Sequence, residues 1–279
     1  RQQSQVPEIW DPVSGEIIPV SVYDQDSGNI VLPLTLAPYG SKLIVFRETK
    51  PLPHYTQIRT DGEHPPLLEF TKDGFQLLES GTSVLSDESQ TEEINNTVQI
   101  KVLEGAWQLY FPDNWGAPDK IDLPELTSWT MSDVEGVKYF SGTATYKKAF
   151  QYDMESDPSS KRRIYLDLGD LSKLGEAWLN GQHLGISWSE PHRFDITNII
   201  KAGNNNLTIE VANTWSNRLT GDAITGESYT NSNIRRTIIP VEGMTPGDQT
   251  RIPWIDVPLI DSGLLGPVKL ESAVHRSIY

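Results

Sequence analysis

The sequence predicts an all-β protein, built as a jelly-roll β-sandwich with a small β-domain at its N-terminus. Short runs in which apolar and polar residues alternate occur along most of the chain, as in sheets that bury one face. Turn signals separate these runs every ~8–12 residues, the spacing typical of sandwiches made of short strands. The sequence shows no series of amphipathic helices of the ~10–15 residues that a (β/α) barrel requires.

The N-terminal third predicts short strands interrupted by proline. Residues 28–48 contain two β-rich runs around a Pro-Tyr-Gly turn. Four prolines between residues 47 and 70 limit continuous sheet pairing and predict a domain boundary there. Residues 79–97 are polar and acidic, and they fit either a loop or an edge pair of strands within a domain. The predicted domains are a small β-domain remnant (1–50), a connecting segment (51–97) and the jelly roll (98–279).

The rest of the chain predicts a continuous series of strands. Residues 136–150 alternate over a long run, with Val137, Tyr139, Thr143 and Thr145 on one parity, which suggests that one face is buried. An Asn180-Gly181 pair supplies the positive φ angles of a tight hairpin turn. The other predicted elements are strands over 162–171, 207–213 and 266–274, a hairpin over 176–187 and a short helical or turn segment over 195–201.

The composition is that of a folded protein without a basic face. The chain has 279 residues, 37% hydrophobic and 22% charged, so it can bury a sizeable core. Its net charge is −15 and its longest Lys/Arg cluster is 161–163, so we expect no nucleic-acid partner, whereas neutral sugars meet no charge objection. The absence of cysteine excludes disulfides, thiolate metal sites and cysteine nucleophiles.

Membrane and export signals are missing from the sequence as given. No run approaches the ~18 apolar residues of a membrane span, so we expect none. The chain starts without a methionine or a signal-peptide pattern, and we expect a processed chain or a piece cut from a longer one.

Motifs with known chemistry are absent or incomplete. The sequence contains no H-E-x-x-H, G-x-S-x-G or G-x-G-x-x-G. Residues 221–228 have the glycine spacing of a phosphate-binding loop, but Glu227 stands where the lysine must be, and its carboxylate would repel phosphate. The five histidines do not fall at metal-ligand spacing. A carboxylate pair could form a glycosidase site, but 38 Asp and Glu residues leave catalytic residues unassigned.

Tryptophans near the Asn180-Gly181 turn have two different expected roles. Trp178 lies within a strand between Ala177 and Leu179, so we expect it in the core between the sheets. Trp188 lies in a polar loop, where an exposed ring could stack on the apolar face of a sugar or simply pack against the loop.

A second stretch, 211–223, follows a strand end and is dense in polar side chains. Loops at the ends of a sandwich are held rigidly by the sheets and commonly bind ligands. An ion pair of Arg218 with Asp222 that merely ties the loop down is at least as well supported as ligand contact. The residues singled out here are Asn213, Trp215, Asn217, Arg218 and Asp222.

Residues 139–150, 164–222 and 262–270 together carry a family resemblance. They resemble the galactose-binding-like jelly roll of glycoside hydrolases, most nearly the C-terminal region of family 106 α-L-rhamnosidases and more distantly the sugar-binding domain of family 2 enzymes. Residues 7–48 resemble the end of the β-domain that follows the catalytic barrel in the rhamnosidases. The resemblance covers nearly the whole chain and is firmest over 136–222 and 262–270.

The resemblance implies a non-catalytic role. The catalytic carboxylates of that family lie in a (β/α)8 barrel N-terminal to this region, and no part of this chain resembles the barrel. We therefore expect an accessory region of a glycoside hydrolase that supports the N-terminal catalytic domain of the same parent chain and binds carbohydrate, with rhamnose-containing pectin as the substrate class. The resemblance also implies a periplasmic or secreted bacterial protein without a cofactor, although the acid-rich loops would suit a structural calcium at an unlocated site.

Two alternatives remain open: a purely structural domain without a ligand, and a glycosidase in its own right with a carboxylate pair on the sandwich surface. In the leading hypothesis two tryptophans stack on the sugar, and the other side chains hydrogen-bond to it. The predicted carbohydrate-binding residues are Trp188, His192, Trp215, Asn217, Arg218 and Asp222.

Overall fold

β-Strands are the main secondary structure of the protein and helices are few and short, which confirms the predicted all-β sandwich class. The computed structural model describes residues 5–26, 28–36, 40–60, 62, 65–87, 89–153, 162–232, 236–238 and 251–278. The strands are β1 (Val6–Trp10), β2 (Ile17–Pro19), β3 (Asp24–Asp26), β4 (Asn29–Val31), β5 (Leu43–Arg47), β6 (Gln57–Thr60), β7 (Leu68–Thr71), β8 (Gly74–Leu77), β9 (Gly81–Ser86), β10 (Thr91–Asn96), β11 (Gln99–Val102), β12 (Trp107–Tyr110), β13 (Lys120–Leu123), β14 (Thr143–Tyr152), β15 (Arg162–Asp167), β16 (Asp170–Leu171), β17 (Leu174–Leu179), β18 (Gln182–Ser187), β19 (Arg193–Asp195), β20 (Gly203–Ala212), β21 (Arg236–Ile238), β22 (Arg251–Pro253), β23 (Leu264–Gly266) and β24 (Lys269–Ser277). The helices are α1 (Glu135–Lys138) and α2 (Ser216–Thr225), with single 3₁₀ turns at Trp129–Met131 and Trp254–Asp256.

The chain divides into two compact units. The first comprises residues 1–101, 155–165 and 270–279, and the second comprises 102–154 and 166–269. The domain boundaries 1–50, 51–97 and 98–279 stay a prediction. Within 51–97, however, the chain forms the strands β6–β10, and the stretch 79–97 forms the antiparallel pair β9–β10 rather than a loop.

The first unit is held by small antiparallel sheets around one apolar cluster. One sheet has the order β2–β1–β5 and another β10–β9–β6. The two β-rich runs predicted in 28–48 are β4 and β5, which pair with β3 and β1 rather than with each other, and residues 38–39 of the predicted turn lie outside the described residues. The buried cluster consists of Ile9, Val20, Val22, Tyr23, Tyr55, Ile58, Leu68, Phe70, Phe75, Leu77, Leu85 and Ile94.

The second unit is built on a six-stranded antiparallel sheet in the order β13–β12–β14–β20–β17–β18. Its central strand β14 alternates as predicted, but the buried parity is the even one, which carries Ala144, Tyr146 and Phe150, while Thr143 is exposed. The predicted alternation does not continue back to Val137, because that residue lies in α1. The alternation thus predicted the strand correctly, but not its full length.

A buried aromatic group closes the centre of the second unit. The indole nitrogen of Trp129 donates a hydrogen bond to the Tyr146 hydroxyl (2.6 Å), which also accepts one from the backbone N–H of Leu264 (3.0 Å). Burial raises the pKa of Tyr146 far above its ordinary range, so this hydroxyl stays neutral. Gly263 (φ +96°) leaves the space for this contact, since a Cβ there would lie 2.5 Å from the Trp129 indole nitrogen.

The β17–β18 hairpin has the predicted turn. Asn180 (φ 54°) and Gly181 (φ 82°) both adopt the left-handed conformation that a type I′ turn requires. The expectation that Trp178 lies in the core is wrong: its neighbours Ala177 and Leu179 are fully buried, whereas Trp178 points to the opposite face and stands 5.3 Å from the ring of His183. Trp178 shares its face with Leu174 and Glu176, so the size of its ring did not reveal which parity faces the core.

Candidate functional site

The loop after β18 carries the most exposed tryptophan of the described chain, Trp188, which is 59% exposed. His192 lies four residues further on and is turned the opposite way. Its ring is buried, and Nδ1 shares a hydrogen bond with the Ser187 hydroxyl (2.8 Å). The structure therefore leaves Trp188 accessible to a ligand and places the predicted hydrogen-bonding partner His192 inside the protein.

Burial also sets the protonation of His192. Desolvation lowers the pKa of its imidazole, against the opposing influence of the carboxylates of Glu190, Asp167 and Asp170, which favour the charged form. The neutral ring is therefore the form that suits its hydrogen bond to Ser187. His192 stabilises the base of the loop that carries Trp188.

The predicted loop at 211–223 is in fact the end of β20 followed by the helix α2. The helix ends at Gly226, whose left-handed φ of 78° lets its N–H reach the carbonyl of Asp222. Its sequence SNRLTGDAIT is rich in residues of low helix propensity, which is why the sequence alone predicted a loop. Tertiary contacts of its side chains hold it instead.

Asn217 provides one of those contacts. Its side-chain amide donates to the carbonyl of Ile260 (2.7 Å) and to the hydroxyl of Ser262 (2.6 Å), and its carbonyl oxygen accepts from the N–H of Ile260 (2.9 Å). The side chain is almost fully buried. Asn217 therefore fastens the 260–262 segment to the helix and offers little to an outside ligand.

Arg218 and Asp222 form the ion pair that the sequence suggested as the alternative to ligand contact. Arg218 Nε lies 2.8 Å from Asp222 Oδ1, and the side chains are only 2% and 11% exposed. The other carboxylate oxygen of Asp222 accepts hydrogen bonds from the N–H (3.1 Å) and hydroxyl (2.9 Å) of Thr230. The guanidinium group also stacks over the ring of Tyr229, 4.7 Å from its centroid.

Trp215 stands at the start of α2 and remains 52% exposed. Its ring meets Trp115 edge to face, with the centroids 5.7 Å apart and an interplanar angle of 80°. The sequence analysis missed Trp115, although it lies between Asn114 (φ 65°) and Gly116 (φ 82°), a turn pattern that can lift a side chain out of a loop. We call Trp115 and Trp215 the tryptophan pair.

The six predicted residues thus fall into two groups. Trp188 and His192 share one loop, whereas the other four lie at the start of α2 or within it. Among the described residues, no hydrogen bond, ion pair or ring contact joins the two groups. Only the rings of Trp188 and Trp215 are exposed; the polar side chains serve the protein's own packing.

Metal ligands and membrane helices do not appear in the part of the chain that the structure describes. No three His, Asp or Glu side chains there come together as an ion site, so the residues present do not define a place for the predicted structural calcium. No helix within the described ranges is long and apolar enough to cross a bilayer.

Comparison with known proteins places this architecture in a family. Residues 130–243, which include the hairpin, β20 and α2, match the family described as glycosyl hydrolase 2 galactose-binding domain-like. This part of the chain is a galactose-binding-like domain of the glycoside hydrolases. The resemblance to the galactose-binding-like jelly roll of glycoside hydrolases is therefore confirmed over residues 136–222, the longer of the two segments where it is firmest.

Two proteins similar to this chain are several times longer than it is. A rhamnosidase from Novosphingobium sp. PP1Y has a similar structure, with 30% identity and a TM-score of 0.65 over 98% of this chain and 21% of its own. A protein from Formosa agariphila named putative beta-glucuronidase is 34% identical over 203 residues, which are 70% of this chain and 17% of the relative. The chain therefore spans about a fifth of the length of these relatives.

Proposed function

We propose that this chain is a non-catalytic accessory region of a larger glycoside hydrolase of the α-L-rhamnosidase type, which acts on plant polysaccharide. The observation that carries the proposal is the match over 98% of this chain to a fifth of the Novosphingobium rhamnosidase. A segment of that extent is expected to support a catalytic domain elsewhere in the same polypeptide. The proposed location of the parent enzyme is the bacterial periplasm or the exterior of the cell.

Carbohydrate is the proposed ligand of the accessory region. The exposed rings of Trp188 and Trp215 offer flat apolar surfaces on which the C–H faces of a sugar can stack. Both residues lie directly beyond strand ends, where the sheet fixes the position of the loop or helix that bears them. Contact therefore depends on the aromatic rings rather than on the buried side chains of Asn217, Arg218 and Asp222.

A turnover assay tests the non-catalytic assignment. The purified 279-residue chain is incubated with an aryl α-L-rhamnoside and an aryl β-D-glucuronide, the second because of the name given to the Formosa relative. We expect no release of the aryl group from either. Turnover that disappears when one Asp or Glu is changed would overturn the proposal and establish a glycosidase in its own right.

A purely structural role is the second candidate, favoured by the saturation of the polar groups along α2. Asn217, Arg218 and Asp222 all bond within the protein, so this motif is explained without a ligand. A glycan array followed by calorimetric titration separates the two candidates. Binding of a glycan supports the accessory carbohydrate-binding role, and no binding across the array supports the structural one.

A further inference from the structure

The tryptophan pair is a surface feature that the packing of the second unit does not require. Trp215 keeps about half of its surface in solvent although the unit has a separate aromatic centre at Trp129 and Tyr146. The edge-to-face contact of Trp115 leaves a face of the Trp215 ring uncovered by its partner. An exposed aromatic surface of this kind is available for contact with another molecule.

The pair rests on a rigid base. Gly116 lies so close to Tyr229 that a Cβ on Gly116 would come within 2.8 Å of the ring. Tyr229 in turn stacks on the Arg218 guanidinium, which the buried pair with Asp222 fixes in place. A second close approach joins the same loop to α1, since a Cβ on Gly136 would lie 1.8 Å from the carbonyl oxygen of Gly116. Rings held in this way lose little conformational freedom when a ligand binds.

The charges around the pair are mostly negative. Asp113 lies two residues before Trp115, Asp133 lies two residues before α1, and Glu135 is the first residue of α1, which touches the loop at Gly116. All three carboxylates are exposed. The one arginine beneath the pair, Arg218, is neutralised by Asp222. Lys138 at the end of α1 is an opposing cation, but the three carboxylates outnumber it, so an anionic sugar would meet net repulsion here and a neutral sugar would not.

We propose that the tryptophan pair is a stacking site for neutral sugar residues and that it discriminates against uronates. The inference rests on the proposed carbohydrate-binding function and gives it a location and a ligand class. Trp215 supplies the stacking face, and its edge-to-face contact with Trp115 restricts the movement of the Trp215 ring. The acidic segments on either side reject carboxylated sugars.

Calorimetric titration of the full chain with two probes tests the inference: a neutral rhamnose-containing oligosaccharide and an oligogalacturonate of similar length. We expect the neutral probe to bind more tightly. Trp215→Ala and Trp115→Ala should each weaken its binding about tenfold or more, equivalent to ~1.4 kcal/mol, and Trp215→Phe should recover part of the loss. Phe46→Ala is the matched control, because Phe46 is an exposed aromatic (38%) of the first unit.

The outcomes separate this inference from the function on which it rests. No binding of any glycan would overturn the carbohydrate-binding role and this site with it. Binding that survives both tryptophan changes, or that Trp188→Ala alone abolishes, would leave that role standing and overturn the tryptophan pair as its site. Tighter binding of the oligogalacturonate would overturn the discrimination. Circular dichroism melts of each variant distinguish lost contact from lost fold.

Discussion

Two stretches of the second unit, 177–197 and 211–223, look alike in sequence and behave differently in the structure. Each combines tryptophan with polar and basic residues just beyond a strand. In the first, the pair Asn180-Gly181 forms the hairpin turn with the positive φ angles that its sequence predicts. In the second, a ten-residue segment rich in residues of low helix propensity becomes the helix α2 because side chains such as Asn217 bond to distant segments.

The difference shows how one segment can divide its residues between structure and contact. In α2 the side chains of Asn217 and Arg218 turn inward and bond within the protein, and the aromatic at its start turns outward. In the 188–192 loop the same division holds, with His192 inside and Trp188 outside. Polar residues that resemble a binding site can thus be the support of an aromatic one.

The largest expected effect is on the ion pair of α2. Arg218→Met leaves the carboxylate of Asp222 buried without its partner, and we expect the free energy of unfolding of the second unit to fall by about 3–5 kcal/mol. Urea unfolding followed by tryptophan fluorescence measures it, since seven of the eight tryptophans lie after residue 100. Trp215→Ala, three residues earlier, should cost less than about 1 kcal/mol because its side chain is half exposed. If Arg218→Met lowers the free energy of unfolding less than Trp215→Ala does, then Arg218 does not stabilise the fold and Trp215 does, which contradicts the roles assigned to them.

A smaller loss is expected at Asn217. Asn217→Ala removes three hydrogen bonds and leaves the backbone N–H of Ile260 without its acceptor, so we expect about 2–3 kcal/mol of destabilisation. Thermal unfolding followed by circular dichroism provides the measurement. Asn204→Ala is the comparison, since Asn204 is exposed in β20 and its change should be close to neutral. Equal melting temperatures for the two variants would show that the 260–262 segment does not hold α2.

Alanine substitutions at Gly181 and Gly226 should lower the stability of the protein by similar amounts. Gly181 in the hairpin and Gly226 at the end of α2 both have positive φ, and an added Cβ at either would meet no atom within 4 Å. Alanine at each position therefore costs only backbone strain, about 1 kcal/mol. Chemical denaturation of the two single variants checks this. A much greater cost at Gly226 would mean that α2 depends on its local cap more than on its tertiary contacts.

The smallest expected effect is a change in pH dependence at His192. Burial lowers the pKa of this ring in the folded protein, so between the folded pKa and the unfolded value of about 6.5 the unfolded chain binds more protons. The contribution of the neutral His192 ring to the free energy of unfolding is therefore fully present above about pH 6.5, and it is lost as the pH falls through the folded pKa. His192→Gln should flatten this fall in a series of urea titrations, and Trp188→Ala should keep it. An unchanged slope in His192→Gln would contradict the assignment.

The hairpin within residues 177–197 could be predicted because its turn depends only on neighbouring residues. An Asn-Gly pair can supply two left-handed residues without help from the rest of the chain, so the hairpin follows from the sequence. The face on which Trp178 lies was predicted wrongly, because its large ring stands between Ala177 and Leu179 while its own face also carries Glu176. Register with β20 decides it: Ala177 and Leu179 pair with the buried Ile209 and Leu207, which places Trp178 opposite.

The all-β class, the tight turns and the family of residues 130–243 follow from the sequence, because alternation, positive-φ residues and ordered motifs are properties of neighbouring residues. Three features depend on tertiary contacts instead. Residues 216–225 form a helix, Asn217, Arg218 and Asp222 bond within the protein, and Trp115 contacts Trp215. Each of these depends on partners between four and about a hundred residues away in the chain, and burial of a polar group is stable only where such a partner is present.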